Sequence, residues 1–171
     1  WSSDVCSSDL GMYFARTSHR GDNYFTITQI TGDYDDPNNK IISKSVNCST
    51  YVVGRDAAMK GNSDDLSVGD CRVKGGFRLR DKLYFVFSGT FGLDIWTKVV
   101  FVKYDISGGA MQMATLGKQY ETYCYPNIAS FAVDEFDETV AINFNASSNK
   151  YYPEARVTIC DNWMQFSNQD T

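Results

Sequence analysis

The chain is short of histidine, of closely spaced cysteines, of basic charge and of long apolar runs, and each shortage removes a class of function. His19 is the single histidine. It falls in the turn-forming stretch His19-Arg20-Gly21-Asp22, with no cysteine or serine at a spacing that suggests a nucleophile and its base, so it reads as a surface residue. Cys48, Cys71, Cys124 and Cys160 are far apart in sequence, whereas a zinc site wants close C-x-x-C or H-x-x-x-H pairs. Sixteen basic against twenty-one acidic residues give a net charge of −5 and a pI near 4.8. Nucleic acid wants clustered lysine and arginine, so that partner is excluded. No apolar run approaches the ~18 residues of a membrane-spanning helix. Gly108-Gly109 is followed by no helical pattern and is a strand turn rather than a phosphate loop. No cofactor is expected.

What the chain does have is β-forming sequence. Aromatic residues make up 15%, mostly tyrosine and phenylalanine, and these favour strands. Apolar content of 43% and charged content of 22% are those of a globular domain with a sizeable core. Residues 1–10 stand apart. Asp4-Val5-Cys6-Ser7-Ser8-Asp9-Leu10 resembles the in-frame translation of a common sequencing adapter, a scar to be set aside before fold reasoning. The expectation is that the natural sequence begins near Gly11 with its upstream part missing, and that Cys6 carries no redox meaning.

From Gly11 onward, runs of alternating apolar and polar residues are punctuated by turn signals. Strands are predicted over Met12–Thr17, Tyr24–Thr31, Lys40–Val46, Arg72–Leu79, Leu83–Ser88, Trp96–Asp105, Met111–Leu116, Pro126–Val133, Thr139–Asn145 and Ala155–Cys160, with a further one around Trp163–Phe166. Cys48–Asp70 is a long polar loop with a short helical turn expected near Arg55–Met59. The segments repeat: Tyr13-Phe14-Ala15-Arg16, Tyr84-Phe85-Val86-Phe87 and Ala141-Ile142-Asn143-Phe144 align as second strands of successive units. Such antiparallel units bury both faces only when neighbours stack on each side. The expected class is all-β, an incomplete β-propeller of four-stranded antiparallel blades, with pieces at roughly 11–47, 71–117 and 126–166. One antiparallel sandwich of about ten strands is the alternative.

Gly69-Asp70-Cys71-Arg72-Val73, Leu83-Tyr84-Phe85, Trp96, Tyr125-Pro126-Asn127-Ile128-Ala129, Val140-Ala141-Ile142-Asn143-Phe144, Ser147-Ser148 and Tyr152-Pro153-Glu154-Ala155 together resemble the blades of secreted, sialidase-like β-propeller proteins. The resemblance covers Gly69–Ile159, about half the chain. It implies a secreted propeller whose remaining blades lie elsewhere in the same chain. The Asp-box S-x-D-x-G-x-x-W of true sialidases is absent, and their arginine triad and Tyr–Glu pair match no residues here. The resemblance therefore implies a binding or adhesion module, with a glycan or other cell-surface ligand as partner. The alternative is part of a glycoside hydrolase whose active site lies outside this sequence. Two N-x-S/T sequons, at Asn47 and Asn145, agree with secretion.

In a propeller the loops His19–Asn23, Cys48–Asp70, Gly89–Ile95, Gly117–Tyr125 and Ala146–Pro153 would gather on one face, and long loops on a rigid scaffold carry ligands. Arg55, Trp96, Tyr123, Tyr125, Tyr151 and Tyr152 are the binding candidates, since aromatic rings stack on sugars and basic groups pair with acidic ligands. For Trp96, Tyr125 and Tyr152, packing between blades is the favoured reading. Asp33, Asp35 and Asp36 share a turn with Asn38 and Asn39, but not at EF-hand spacing, and read as solvated. Asp134, Glu135, Asp137 and Glu138 could be paired catalytic acids; they lie on a short turn at the opposite end and read as solvated too. Cys48 and Cys71 flank the long loop and are the disulfide candidate, a bond worth on the order of 3 kcal/mol. Cys124 and Cys160 fall at opposite ends, so a bond between them would contradict the propeller.

Overall fold

A computed structural model describes residues 11–32, 37–61, 64–134 and 136–167. Asp33, Asp35, Asp36 and Glu135 fall outside the described residues. Within them the protein is all-β and antiparallel, with ten strands: β1 (Met12–Arg16), β2 (Gly21–Thr31), β3 (Lys40–Val52), β4 (Val73–Leu79), β5 (Lys82–Phe91), β6 (Lys98–Asp105), β7 (Met111–Leu116), β8 (Thr122–Ser130), β9 (Val140–Ser148) and β10 (Tyr151–Cys160). They form three up-and-down meanders: β1–β2–β3, β4–β5–β6–β7 and β8–β9–β10. Tyr51 and Val52 of β3 pair with Phe91 and Thr90 of β5, joining the first two meanders into one seven-stranded sheet. Among the described residues no sheet closes on itself.

The central meander is covered on both faces, which is why β5 and β6 are nearly continuous apolar runs. Alternation sends Leu83, Phe85 and Phe87 of β5, with Val100, Val102 and Tyr104 of β6, toward Phe25, Ile27 and Tyr51 of the first meander. The intervening Tyr84, Val86, Val99 and Phe101 face Tyr123, Ile128, Val140, Ile142 and Phe144 of the third. Phe25 meets Phe85 edge-on with ring centroids 5.2 Å apart, and Tyr84 stacks on Phe77 at 5.0 Å. Each such buried side chain contributes about 1.5–3 kcal/mol, so these two interlayer cores hold the meanders together. The arrangement is sandwich-like, three layers deep. Strands β1, β4 and β8 lie side by side at one edge of the layers. Gly75 permits this contact, because a Cβ there would stand 3.3 Å from the Asn127 Cα and closer still to its amide oxygen.

All ten expected strands are present, with moved ends. β2, β3 and β5 run longer than their alternation suggests, and β8 begins at Thr122 rather than Pro126. No helical turn forms at Arg55–Met59; Arg55 bridges Trp96 and Ala57 bridges Leu66 instead. Near Trp163–Phe166 there is only the single bridge from Phe166 to Cys160. The bond expected between Cys48 and Cys71 is absent, and all four described cysteines are free. Cys71 packs its sulfur beneath Gly89 of β5 with its carbonyl held by Thr17 Oγ1 at 2.5 Å, so the thiol is an element of the core rather than one end of a bridge.

The short-turn end is held by charge. Glu138 accepts hydrogen bonds from Lys82 and, at 2.9 Å, from Lys103. Lys103 also donates to the Asn162 carbonyl at 3.0 Å, and the Asn162 side-chain oxygen accepts from the Glu138 N–H at 2.8 Å. The turn is therefore not wholly solvated: Glu138 is the ionic link between the second and third meanders.

Candidate functional site

Segment 53–72 crosses the opposite end and ties all three meanders there. Its backbone bonds are specific: the Val53 N–H donates to the Arg20 carbonyl (3.3 Å), Arg55 to Ile95 (3.0 Å) and Cys71 to His19 (3.2 Å). Thr97 Oγ1 donates to the Arg55 carbonyl (3.2 Å), Ser147 Oγ to Ala58 (2.7 Å) and the Tyr125 hydroxyl to Ser67 (2.7 Å). Within the segment Ala57 and Leu66 exchange backbone bonds of 2.8 and 2.7 Å, and Asp56 accepts from the Val68 N–H at 3.0 Å. Ala57, Val68 and Cys124 are buried beneath it with Leu66 packed alongside. The described residues of this polar loop find partners for their backbone groups on three separate layers.

The six binding candidates separate under this loop. Tyr125 (42% exposed) and Tyr152 (67%) present their rings to solvent, and the Lys60 ammonium lies 5.7 Å from the centre of the Tyr152 ring. Tyr125 sits at a bulge in β8 with a left-handed φ of 53°. That conformation is costly for a residue with a side chain, and such outliers gather at working sites. Trp96 is half-buried and meets the exposed Tyr120 edge-on at 5.7 Å. Arg55 is exposed beside it, bridged to Trp96. Tyr123 and Tyr151 belong elsewhere. Tyr123 is fully buried against Phe144 at 4.8 Å, and Tyr151 is half-buried with its ring under the Arg156 guanidinium at 4.9 Å. Neither offers a ring face to a ligand. Tyr123 lies in a run of three buried residues, Thr122–Cys124, that no alternation in the sequence marks as core, and Tyr151 sits between the exposed Lys150 and Tyr152.

Tyr123 and Tyr151 serve instead in a partly buried charged cluster. Arg156 binds Glu121 at 3.1 Å and Glu154 at 2.5 Å, and the Tyr123 hydroxyl donates to Glu121 at 2.8 Å. Burial alone would raise the Glu121 pKa; the hydrogen bond from Tyr123, the nearby Tyr151 hydroxyl and the Arg156 charge outweigh it, and the carboxyl lies below its ordinary value. Burial pushes the Tyr151 hydroxyl up to about 12. The cluster is a fixed, ionised tie between β8 and β10.

Beside the loop end an open groove of about 720 Å³ lies against the end of β1 and the start of β2, walled among others by Arg16, His19, Asp22, Tyr24, Asp70 and Arg72. The Arg72 guanidinium and the Lys74 ammonium bond Asp70, at 2.6 and 3.0 Å, and hold its carboxyl well below the usual range. Sequence reasoning passed over Arg16, Asp70 and Arg72 as site residues, although the run Gly69–Val73 stood out as a motif. Among the described residues no three His, Cys, Asp or Glu side chains gather as metal ligands, and no helix is long and apolar enough to cross a membrane. Compared with protein-family models, with curated proteins and with solved structures, the chain matches none.

Proposed function

We propose that this chain is part of a β-propeller whose loop-bearing end binds a glycan as a non-catalytic module. One observation carries the reading: the 53–72 segment is pinned to all three meanders and leaves the rings of Tyr125, Tyr152 and Tyr120 exposed at one end. Rigid aromatic rings bind ligand faces with little ordering cost. The propeller part rests on the three stacked meanders and on β1, β4 and β8 sharing one edge. The exposed sequon asparagines Asn47 and Asn145 suit a secreted protein.

The hydrolase alternative draws no support from the acidic residues. Glu138 is held ionised between two lysines at the far end, so it is no general acid, and Glu121 and Glu154 are both engaged by Arg156. The test is a glycan array followed by calorimetry on the best ligand. Tyr152→Ala and Tyr125→Ala should each weaken binding about tenfold, the equivalent of ~1.4 kcal/mol, with melting temperature unchanged for Tyr152→Ala. Array-wide absence of binding, or affinity indifferent to both changes, overturns the proposal.

A further inference from the structure

The aromatic rings at the loop-bearing end fall into two groups, and basic side chains stand beside each. Trp96 and Tyr120 meet edge-on at 5.7 Å, with Arg55 bridged to Trp96 through the backbone and Lys118 two residues before Tyr120. Tyr152 has the Lys60 ammonium 5.7 Å from its ring centre and Lys150 two residues before it, in the turn between β9 and β10. Arg55, Lys60, Lys118 and Lys150 are all exposed, and none of them forms an ion pair among the described residues. The acids nearest the rings are occupied. Glu121 and Glu154 bind Arg156, Asp94 binds Lys98 at 2.5 Å, and Asp56 accepts from the Val68 N–H. Asp64 and Asp65 share the loop with Lys60 but form no ion pair with it. The chain as a whole carries a net charge of −5, so cations gathered at the rings run against the charge of the molecule.

We infer that the ligand of this end is a linear polyanionic polysaccharide, charged on successive sugars and laid across both ring groups. This rests on the glycan reading and names its ligand class. Arg55 and Lys60 are five residues apart in one stretch of chain, a span of at most about 18 Å. One oligosaccharide reaches both ring groups, whereas a single acidic sugar supplies one charge and engages one group. The rings offer rigid apolar area to the sugar faces. The Arg55 guanidinium offers paired N–H donors to a planar anion, and the Lys60 ammonium offers a point charge. Two weak contacts made by one ligand chain reinforce each other through effective concentration, so affinity grows with chain length. Because the cations are exposed, it also falls with added salt.

The test is calorimetry on the full chain at low and high salt. The probes are galacturonate, a galacturonate decamer, a neutral galactan decamer and a sulfated galactan decamer. One of the two charged decamers should bind at least about tenfold more tightly than the monosaccharide and the neutral decamer; which of the two it is tells whether carboxylate or sulfate is the anion. Arg55→Gln and Lys60→Gln should each weaken that binding about fivefold, the upper range for an exposed ion pair, and flatten its salt dependence. Melting temperature should not change, since both side chains are exposed. Equal affinity for the neutral decamer, affinity independent of chain length, or indifference to both variants each overturns the inference. So does tighter binding of an oligothymidylate decamer, which would make the surface a single-stranded nucleic-acid platform. A neutral glycan whose binding falls in Tyr152→Ala but ignores Arg55→Gln and Lys60→Gln sinks this inference and leaves the glycan reading standing; binding of no saccharide at all sinks both.

Discussion

Glu138 gives the sharpest test of how the layers are joined. Its carboxylate holds two ammonium groups, of which Lys103 is 8% exposed, Lys82 30%, and Glu138 itself 15%. Replacing it by glutamine keeps the shape and the Asn162 bond but leaves a buried lysine without its counter-charge. Removing one partner of a buried pair typically costs 3–5 kcal/mol. The Asn162 carbonyl still accepts from Lys103, which places Glu138→Gln at the low end, about 3 kcal/mol by the same measure. Lys103→Met, of similar length and apolar, should cost about 1 kcal/mol. In the Lys103→Met background the Glu138→Gln loss should shrink by at least ~1.5 kcal/mol, the coupling expected of groups in one network. Urea unfolding of the four proteins measures this, provided the m-values agree. The pH dependence has a definite sign. Burial alone would raise the Glu138 pKa; the hydrogen bonds and charges of Lys82 and Lys103 outweigh it and lower it. A carboxyl depressed in the folded state contributes stability that is complete above its unfolded pKa of ~4.3 and is lost as pH falls through the folded value. Glu138→Gln should therefore flatten the acid limb of the stability profile. A loss under ~0.5 kcal/mol, the range of ordinary surface changes, together with an unaltered acid limb, refutes the ionic link.

Burial pushes the thiols of Cys71 and Cys124 up to about 11 and that of Cys160 to about 12. In a Cys6→Ser protein under non-reducing conditions, Ellman's reagent should therefore modify Cys48 first and the other three only on unfolding. A bridge between Cys48 and Cys71 would instead leave only two titratable thiols in denaturant, and that count refutes the free-thiol arrangement. Gly54 lies where a Cβ would stand 2.9 Å from both the backbone nitrogen and Cα of Thr97. Gly54→Ala should cost about 2 kcal/mol by forcing the loop off Thr97, seen as faster proteolysis within 53–72; an unchanged cleavage rate would show that the loop is not pinned there.

Much of the fold was legible because alternation is a local signal. Leu83–Ser88 and Val99–Tyr104 announce strands buried on both faces, and turn residues such as Arg80-Asp81 mark the tight hairpins between them. Strand ends were less legible. Asn47–Val52 carries β3 through polar residues because its partners are Asp22 and Tyr24 on β2 and then Phe91 and Thr90 on β5, pairings no local pattern encodes. The disulfide expectation failed for a related reason: Cys48 and Cys71 flank one loop in sequence, but Cys71 packs beneath Gly89 in the core, and nothing in the spacing reports that.

The candidate site was legible only in part because it is assembled across layers. Tyr123 and Tyr125 are two residues apart in one strand, and simple alternation would place them on the same face with similar exposure. The bulge between Cys124 and Asn127 breaks that rule. Tyr123 goes inward to Phe144 and Glu121, while Tyr125, in its left-handed conformation, turns out to reach the Ser67 carbonyl. The bulge exists where β8 meets the 53–72 loop, so the loop and the strand determine each other's geometry. A polar segment with no periodicity of its own thus decides which aromatic residues are core and which are available to a ligand. Changes in that segment should accordingly alter recognition before they alter stability: Ser67 contributes only a carbonyl to Tyr125, yet Ser67→Pro, by tilting that carbonyl, should free the Tyr125 ring and lower ligand affinity with a smaller effect on unfolding than Gly54→Ala. Equal or greater loss of stability in Ser67→Pro would mean that the loop is core structure first and a binding platform only incidentally.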